Sequence, residues 1–168
     1  MRIGYIRLKN YIGILNGLGL EEIYIDFTKC KNKITLIRGD NGCGKSELFK
    51  SLHMFPDIND RLVPRKIASK EISYIIDDII YEMKIIHGIK RNGERDITKA
   101  YISKITPFGI EELNPNGNIT SYKEIIQSEF SLDFNFISLI ELSSKDRGLA
   151  DKPPSERKKF VNNIINNL

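Results

Sequence analysis

The 168-residue chain has no tryptophan and only two cysteines, two histidines and six prolines. Two cysteines allow one bridge at most, so a disulfide scaffold is excluded and a reducing compartment, cytoplasmic, is expected. Cys30 and Cys43 lack metal-ligand spacing, and His53 and His87 stand alone, which leaves no cysteine–histidine metal centre legible in the sequence. No apolar run approaches 18 residues, so neither a membrane helix nor a membrane partner is expected. The opening Met1–Tyr5 has no uninterrupted apolar segment and reads as a strand rather than a secretion signal. The net charge is +4, spread along the chain rather than blocked, which permits a polyanionic partner without requiring one.

What the chain does have is Gly39–Asp40–Asn41–Gly42–Cys43–Gly44–Lys45–Ser46, which fits G-x-x-x-x-G-K-[ST], the phosphate-binding P-loop. The glycines allow a tight turn that brings successive backbone N–H groups to phosphate oxygens. A helix expected from about Gly44–Lys45 presents unpaired N–H groups to an anion. Lys45 is the residue for the β- and γ-phosphates and Ser46 the ligand for Mg²⁺. Cys43, near a helix start and Lys45, is a candidate for a reactive thiol. Before the loop, residues 34–37 read as a short buried strand; after it, Leu48, Phe49, Leu52 and Phe55 recur at helical spacing until Pro56.

The rest is placed around this loop. Residues 1–9 and 23–27 alternate as strands, with a loop expected over residues 10–21 because of Asn16–Gly17 and Gly19. Residues 56–70 form the most basic irregular stretch, and Arg61, Arg65, Lys66 and Lys70 are its candidates for contact with a DNA backbone. Residues 71–105 read as antiparallel strands turning at Asp77–Asp78 and Asn92–Gly93. Residues 107–119 form a loop, and Ser121-x-x-Glu124 is a capping box opening a helix with Tyr122, Ile125, Ile126 and Phe130. Residues 134–142 suit a buried strand. Pro153–Arg157 starts a last helix in which Val161, Ile165 and Leu168 step as in a coiled-coil seam. That pattern is still running at Leu168, which suggests a cut within a longer helix. The division expected is an ATPase lobe over residues 1–152 and a coiled-coil start over 153–168.

Taken in order, the opening strand into Asn10–Tyr11, Ile25–Asp26–Phe27, the segment Ile37–Ser46, the antiparallel strands, Asp146–Leu149 and Pro154–Ser155–Glu156–Arg157 resemble the N-terminal half-head of SbcC-type and phage recombination-endonuclease ATPases, an SMC-like branch of the ABC ATPases. The resemblance implies an α/β P-loop NTPase lobe with an antiparallel subsheet, ATP and Mg²⁺ as cofactors, and a role in DNA repair and recombination at double-strand breaks. It implies as partners an SbcD-type nuclease subunit gated by ATP, a C-terminal lobe carrying the signature motif and Walker B, a second head in a homodimer, and double-stranded DNA. The family has a Q-loop glutamine where this chain has Leu142–Ser143–Ser144–Lys145, so Ser144 is nearest to that Mg²⁺-contacting position. The family often has threonine where Glu47 stands, and a carboxylate there weakens phosphate binding unless it points away. Two other readings remain open. One is a self-sufficient NTPase using Asp77, at the end of the apolar run from Ser73, as its Walker B acid; the other is a non-enzymatic fragment that binds DNA or a partner.

Overall fold

The computed structural model describes residues 1–29 and 35–131. It divides into two compact units, Met1–Ile125 and Ile126–Leu168. The first unit holds six strands, β1 (Arg2–Lys9), β2 (Glu22–Asp26), β3 (Ala68–Ile76), β4 (Ile79–Ile89), β5 (Arg95–Thr106) and β6 (Gly109–Glu112). They form one sheet in the order β2-β1-β3-β4-β5-β6, and every pairing is antiparallel. The helices are α1 (Ile12–Leu18), α2 (Lys45–Ser51) and α3 (Ile119–Phe130), with a short 3₁₀ turn at Asn59–Arg61. Of the second unit only residues 126–131 are described, and 126–130 are the end of α3.

This overturns the α/β expectation of a P-loop ATPase lobe. The regular structure among the described residues is mostly β, and no parallel pair occurs among them. Tight reversals enforce antiparallel neighbours: Asp77 and Asp78, both with positive φ, close a two-residue hairpin in which Ile76 pairs with Ile79. Residues 35–37, expected as the strand feeding the loop, are irregular, and Leu36 is exposed. Residues 10–21 contain α1 rather than a loop: Gly17, read as a breaker, lies inside the helix in close contact with the backbone of residues 42–44, while Gly19 ends the helix in a left-handed conformation. Residues 107–119 include the exposed edge strand β6. Helix α3 begins before the proposed capping box, since Asn118 Oδ1 accepts the N–H groups of Thr120 and Ser121 at 2.8 and 3.1 Å. The expected strand at 134–142 and the coiled-coil start lie outside the described residues.

Alternation decides which side of the sheet is core. Cross-strand partners share a face, and the register aligns Ile6, Ile72, Met83 and Ile102 in one row and Leu8, Lys70, Ile85 and Ala100 in the next. All eight are buried. Tyr11, Ile14, Met54, Phe55, Leu62 and Tyr122 are buried with them, and the Tyr122 hydroxyl donates to the Met54 carbonyl at 2.6 Å. The opposite face is polar: Arg7 pairs with Glu71 at 3.4 Å and Lys84 with Glu71 at 2.8 Å across adjacent strands.

The core row that continues past Lys70 pairs Ala68 with His87. His87 is buried, its Nδ1 lies 3.1 Å from Thr98 Oγ1, and its Nε2 has no hydrogen-bond partner. Burial therefore holds its pKa down, from 6.5 to about 4. The neutral ring is the folded form, while the unfolded chain takes up a proton first. Stability is thus expected to fall by up to about 3 kcal/mol as pH drops from 6.5 to about 4. Urea unfolding of the wild type and of His87→Leu across that window checks this; the variant should lack this component of the pH dependence.

Candidate phosphate-binding site

The loop 39–46 keeps the backbone that its glycines predict. Gly42 and Gly44 both have φ of 85°, a left-handed conformation that a side chain disfavours. The Cys43 N–H donates to the Asp40 carbonyl at 3.3 Å, and Gly44 caps α2, its carbonyl accepting the Leu48 N–H at 3.0 Å. Lys45 turns back over the loop. Its Nζ donates to the carbonyls of Gly39 and Asp40, both at 2.7 Å, and sits 3.7 Å from Cys43 Sγ. Ser46 is exposed in the first turn of α2. Sequence reasoning placed these eight residues together, and the structure assembles them as one turn at a helix start.

Helix α1 supports that turn, which the sequence reading missed. A Cβ on Gly17 would lie 2.3 Å from the Gly42 carbonyl oxygen and 2.7 Å from Gly44 N, all backbone atoms that cannot step aside. A Cβ on Gly13 would meet the Glu47 side chain at 2.7 Å, and one on Gly44 would meet the Gly13 carbonyl oxygen at 2.9 Å. The signal was present as two glycines four apart, one helical turn, between the apolar residues Ile12, Ile14 and Leu15. Beside the loop a groove of about 400 Å³ opens, lined by Ile14, Ile23, Ile25, Ile37 and Leu48 together with Lys45.

The Glu47 side chain lies beside Gly13 of α1 and is held by Arg61 Nε at 2.7 Å. All five N–H donors of Arg61 are used. The others reach Lys50 O (3.2 Å), Asp57 Oδ1 (2.6 Å), Glu47 O (3.0 Å) and Ser51 Oγ (2.7 Å). Behind it lies a fully buried ion pair, Lys70 Nζ to Asp57 Oδ2 at 2.8 Å. Lys70 also donates to the Phe55 carbonyl at 2.7 Å, and the Tyr11 hydroxyl donates to Asp57 Oδ2 at 2.7 Å. The Phe55 N–H donates to His53 Nδ1 at 3.0 Å, leaving the proton on Nε2, 3.5 Å from Asp57 Oδ1. Burial alone would raise the Asp57 pKa. The Lys70 charge, the His53 hydrogen bond and the Arg61 charge override it and hold the carboxyl far below the usual range. The Tyr11 hydroxyl is pushed well above its ordinary value by burial and by the Asp57 charge.

Of the four cations expected to meet DNA, two are spoken for inside the protein. Lys70 has no exposed surface, and Arg61 has no donor to spare. Neither suits a phosphate backbone; the polar stretch that looked like a surface loop is folded against the core by Asp57. Lys66 is exposed but paired with Glu21. Arg65 is exposed, with its side chain against Gly93 at the β4–β5 turn. Asp77 is remote from the loop. It follows β3, whose Ile75 pairs with Arg2 at the start of β1, whereas α1 and the loop follow the other end of β1. That is a separation of about 20 Å along the strands, too far for a Walker B role. Ser144 lies outside the described residues. Among the described residues no cluster of three histidine, cysteine or acidic side chains forms a metal site, and no helix is long and apolar enough to cross a membrane. No protein-family model and no curated protein sequence matches the chain.

Two substitutions test this construction. Gly17→Ala is expected to destabilise the fold by about 2 kcal/mol through the clash with Gly42, measured by thermal or urea unfolding. Asp57→Asn leaves Lys70 buried without its counter-charge and should cost about 3–5 kcal/mol, with Asp57→Asn/Lys70→Met recovering part of the loss.

Proposed function

We propose that the loop 39–46 binds the phosphates of a nucleoside triphosphate, ATP by the resemblance described above, together with Mg²⁺. The observation that carries the reading is the joint geometry of the loop: left-handed glycines at 42 and 44, a helix beginning at Lys45, and an ammonium gathered over the loop by two backbone carbonyls. These carbonyls are weak partners for a cation compared with phosphate oxygens, so the same ammonium is placed to exchange one for the other. The exposed Ser46 hydroxyl, in the first turn of α2, is suited to a Mg²⁺ bound to the phosphates, and the apolar groove beside Lys45 offers the nucleoside a wall.

Binding and hydrolysis are separate tasks. Transfer to water needs a group that positions the water as well as the grip on phosphates and metal. Glu47, the carboxylate in the first turn of α2, is committed to Arg61, and Asp77 is at the far end of the sheet. The described residues therefore supply the grip, and the reading assigns the hydrolytic groups to a complementary ATPase lobe and a second head. In that reading the chain is the ATP-binding part of a DNA repair and recombination ATPase that gates a nuclease at double-strand breaks.

Titration of the full chain with Mg·ATP tests the binding step. Binding is expected to be weakened at least about tenfold by Lys45→Ala, with negligible turnover by the wild type. Inorganic tripolyphosphate should bind more weakly than ATP if the groove contributes. Equal affinity of wild type and Lys45→Ala for Mg·ATP would remove the phosphate-binding role of the loop.

A further inference from the structure

We infer that Arg61 is a positioning residue for phosphate binding, acting through Glu47; this rests on the reading of loop 39–46 as a phosphate site. The motif places a carboxylate two residues after Lys45, in the turn where an anion is to be received. Left to itself that charge would oppose a polyphosphate and compete for Lys45. Arg61 removes both effects. Its Nε is 2.7 Å from Glu47 Oε1, both side chains are largely buried, and the guanidinium reaches around α2 to the carbonyls of Glu47 and Lys50 and to Ser51 Oγ. It is anchored from behind by Asp57 at 2.6 Å. The four charges Glu47, Arg61, Asp57 and Lys70 sum to zero, so the support under the loop is neutral although it is built of ions.

The arrangement also explains why an arginine is needed. A lysine supplies the charge but not five donors in a plane, and only the fork can hold the Glu47 carboxylate and the helix backbone at once. Arg61 therefore fixes both where the carboxylate points and where α2 ends. The two roles separate experimentally, since one depends on the charge of residue 47 and the other does not.

The test is Mg·ATP titration of the full chain at fixed ionic strength. Glu47→Gln alone should not weaken binding and should tighten it, because it leaves the Arg61 charge uncompensated beside the phosphates. Arg61→Ala should weaken binding about tenfold, and Arg61→Ala/Glu47→Gln should return it to within about threefold of wild type. A double variant as weak as Arg61→Ala would reduce Arg61 to a purely structural clamp and overturn the inference. Glu47→Gln binding more weakly than wild type would overturn it too, since the carboxylate would then be supporting the site rather than opposing the phosphates. Should Arg61→Ala fail to fold by circular dichroism, Arg61→Lys replaces it: affinity within about threefold of wild type supports compensation by charge, and a loss that Glu47→Gln does not repair opposes it. Absence of Mg·ATP binding by the wild type would instead remove the parent reading, a result distinct from all of these.

Discussion

The Asp57 carboxylate is the point on which the first unit turns. It has no exposed surface, yet it accepts from Tyr11, meets Lys70 and Arg61, and lies 3.5 Å from the His53 ring. Those partners come from the start of α1, strand β3, the 3₁₀ turn and the segment after α2. A carboxylate taken out of water is costly unless its charge and lone pairs are all answered. Here they are answered by groups separated by up to 59 positions in sequence, from Tyr11 to Lys70. The apolar rows of the sheet supply the larger share of burial, but burial is indifferent to small displacements. The directional bonds to Asp57 tie the irregular segment 52–62 into one arrangement and so fix where α2 ends.

Two contacts carry this order on to the loop. Arg61 holds the far end of α2 and the side chain of Glu47, while α1 lies against the loop backbone through Gly13 and Gly17. One contact is electrostatic and the other steric. Between them the first turn of α2 is specified although no residue of the phosphate motif is buried; Leu48, two positions after it, is in the core.

Local patterns in the sequence were enough for some of this. The alternation of Ile72, Tyr74, Tyr81, Met83 and Ile85 marks the central strands, and the glycines of 39–46 mark the loop, because each signal is a property of a few adjacent residues. The all-antiparallel sheet was not legible, since the expected strand at 34–37 looks the same in sequence whether or not a neighbour pairs with it. Nor was α1, whose glycines are breakers by propensity; Gly17 is required by the loop backbone lying across it and Gly13 by the Glu47 side chain. Arg61 and Lys70 read as surface cations because Glu47 and Asp57 pair with them across fourteen and thirteen positions, and although Asp57 is four residues from Arg61, nothing in the sequence shows that its carboxylate is buried. A basic stretch tells the number of its charges, not the direction they face.

The contact between Gly17 and Gly42 has a further consequence. It means that the specification of a short phosphate motif is written partly in a different helix, some twenty-five positions upstream. A chain that kept all eight residues 39–46 but acquired a methyl group at position 17 would still match the motif letter for letter while losing the surface on which that motif is moulded. Tolerance to substitution should therefore be lowest at a residue that no pattern search would select.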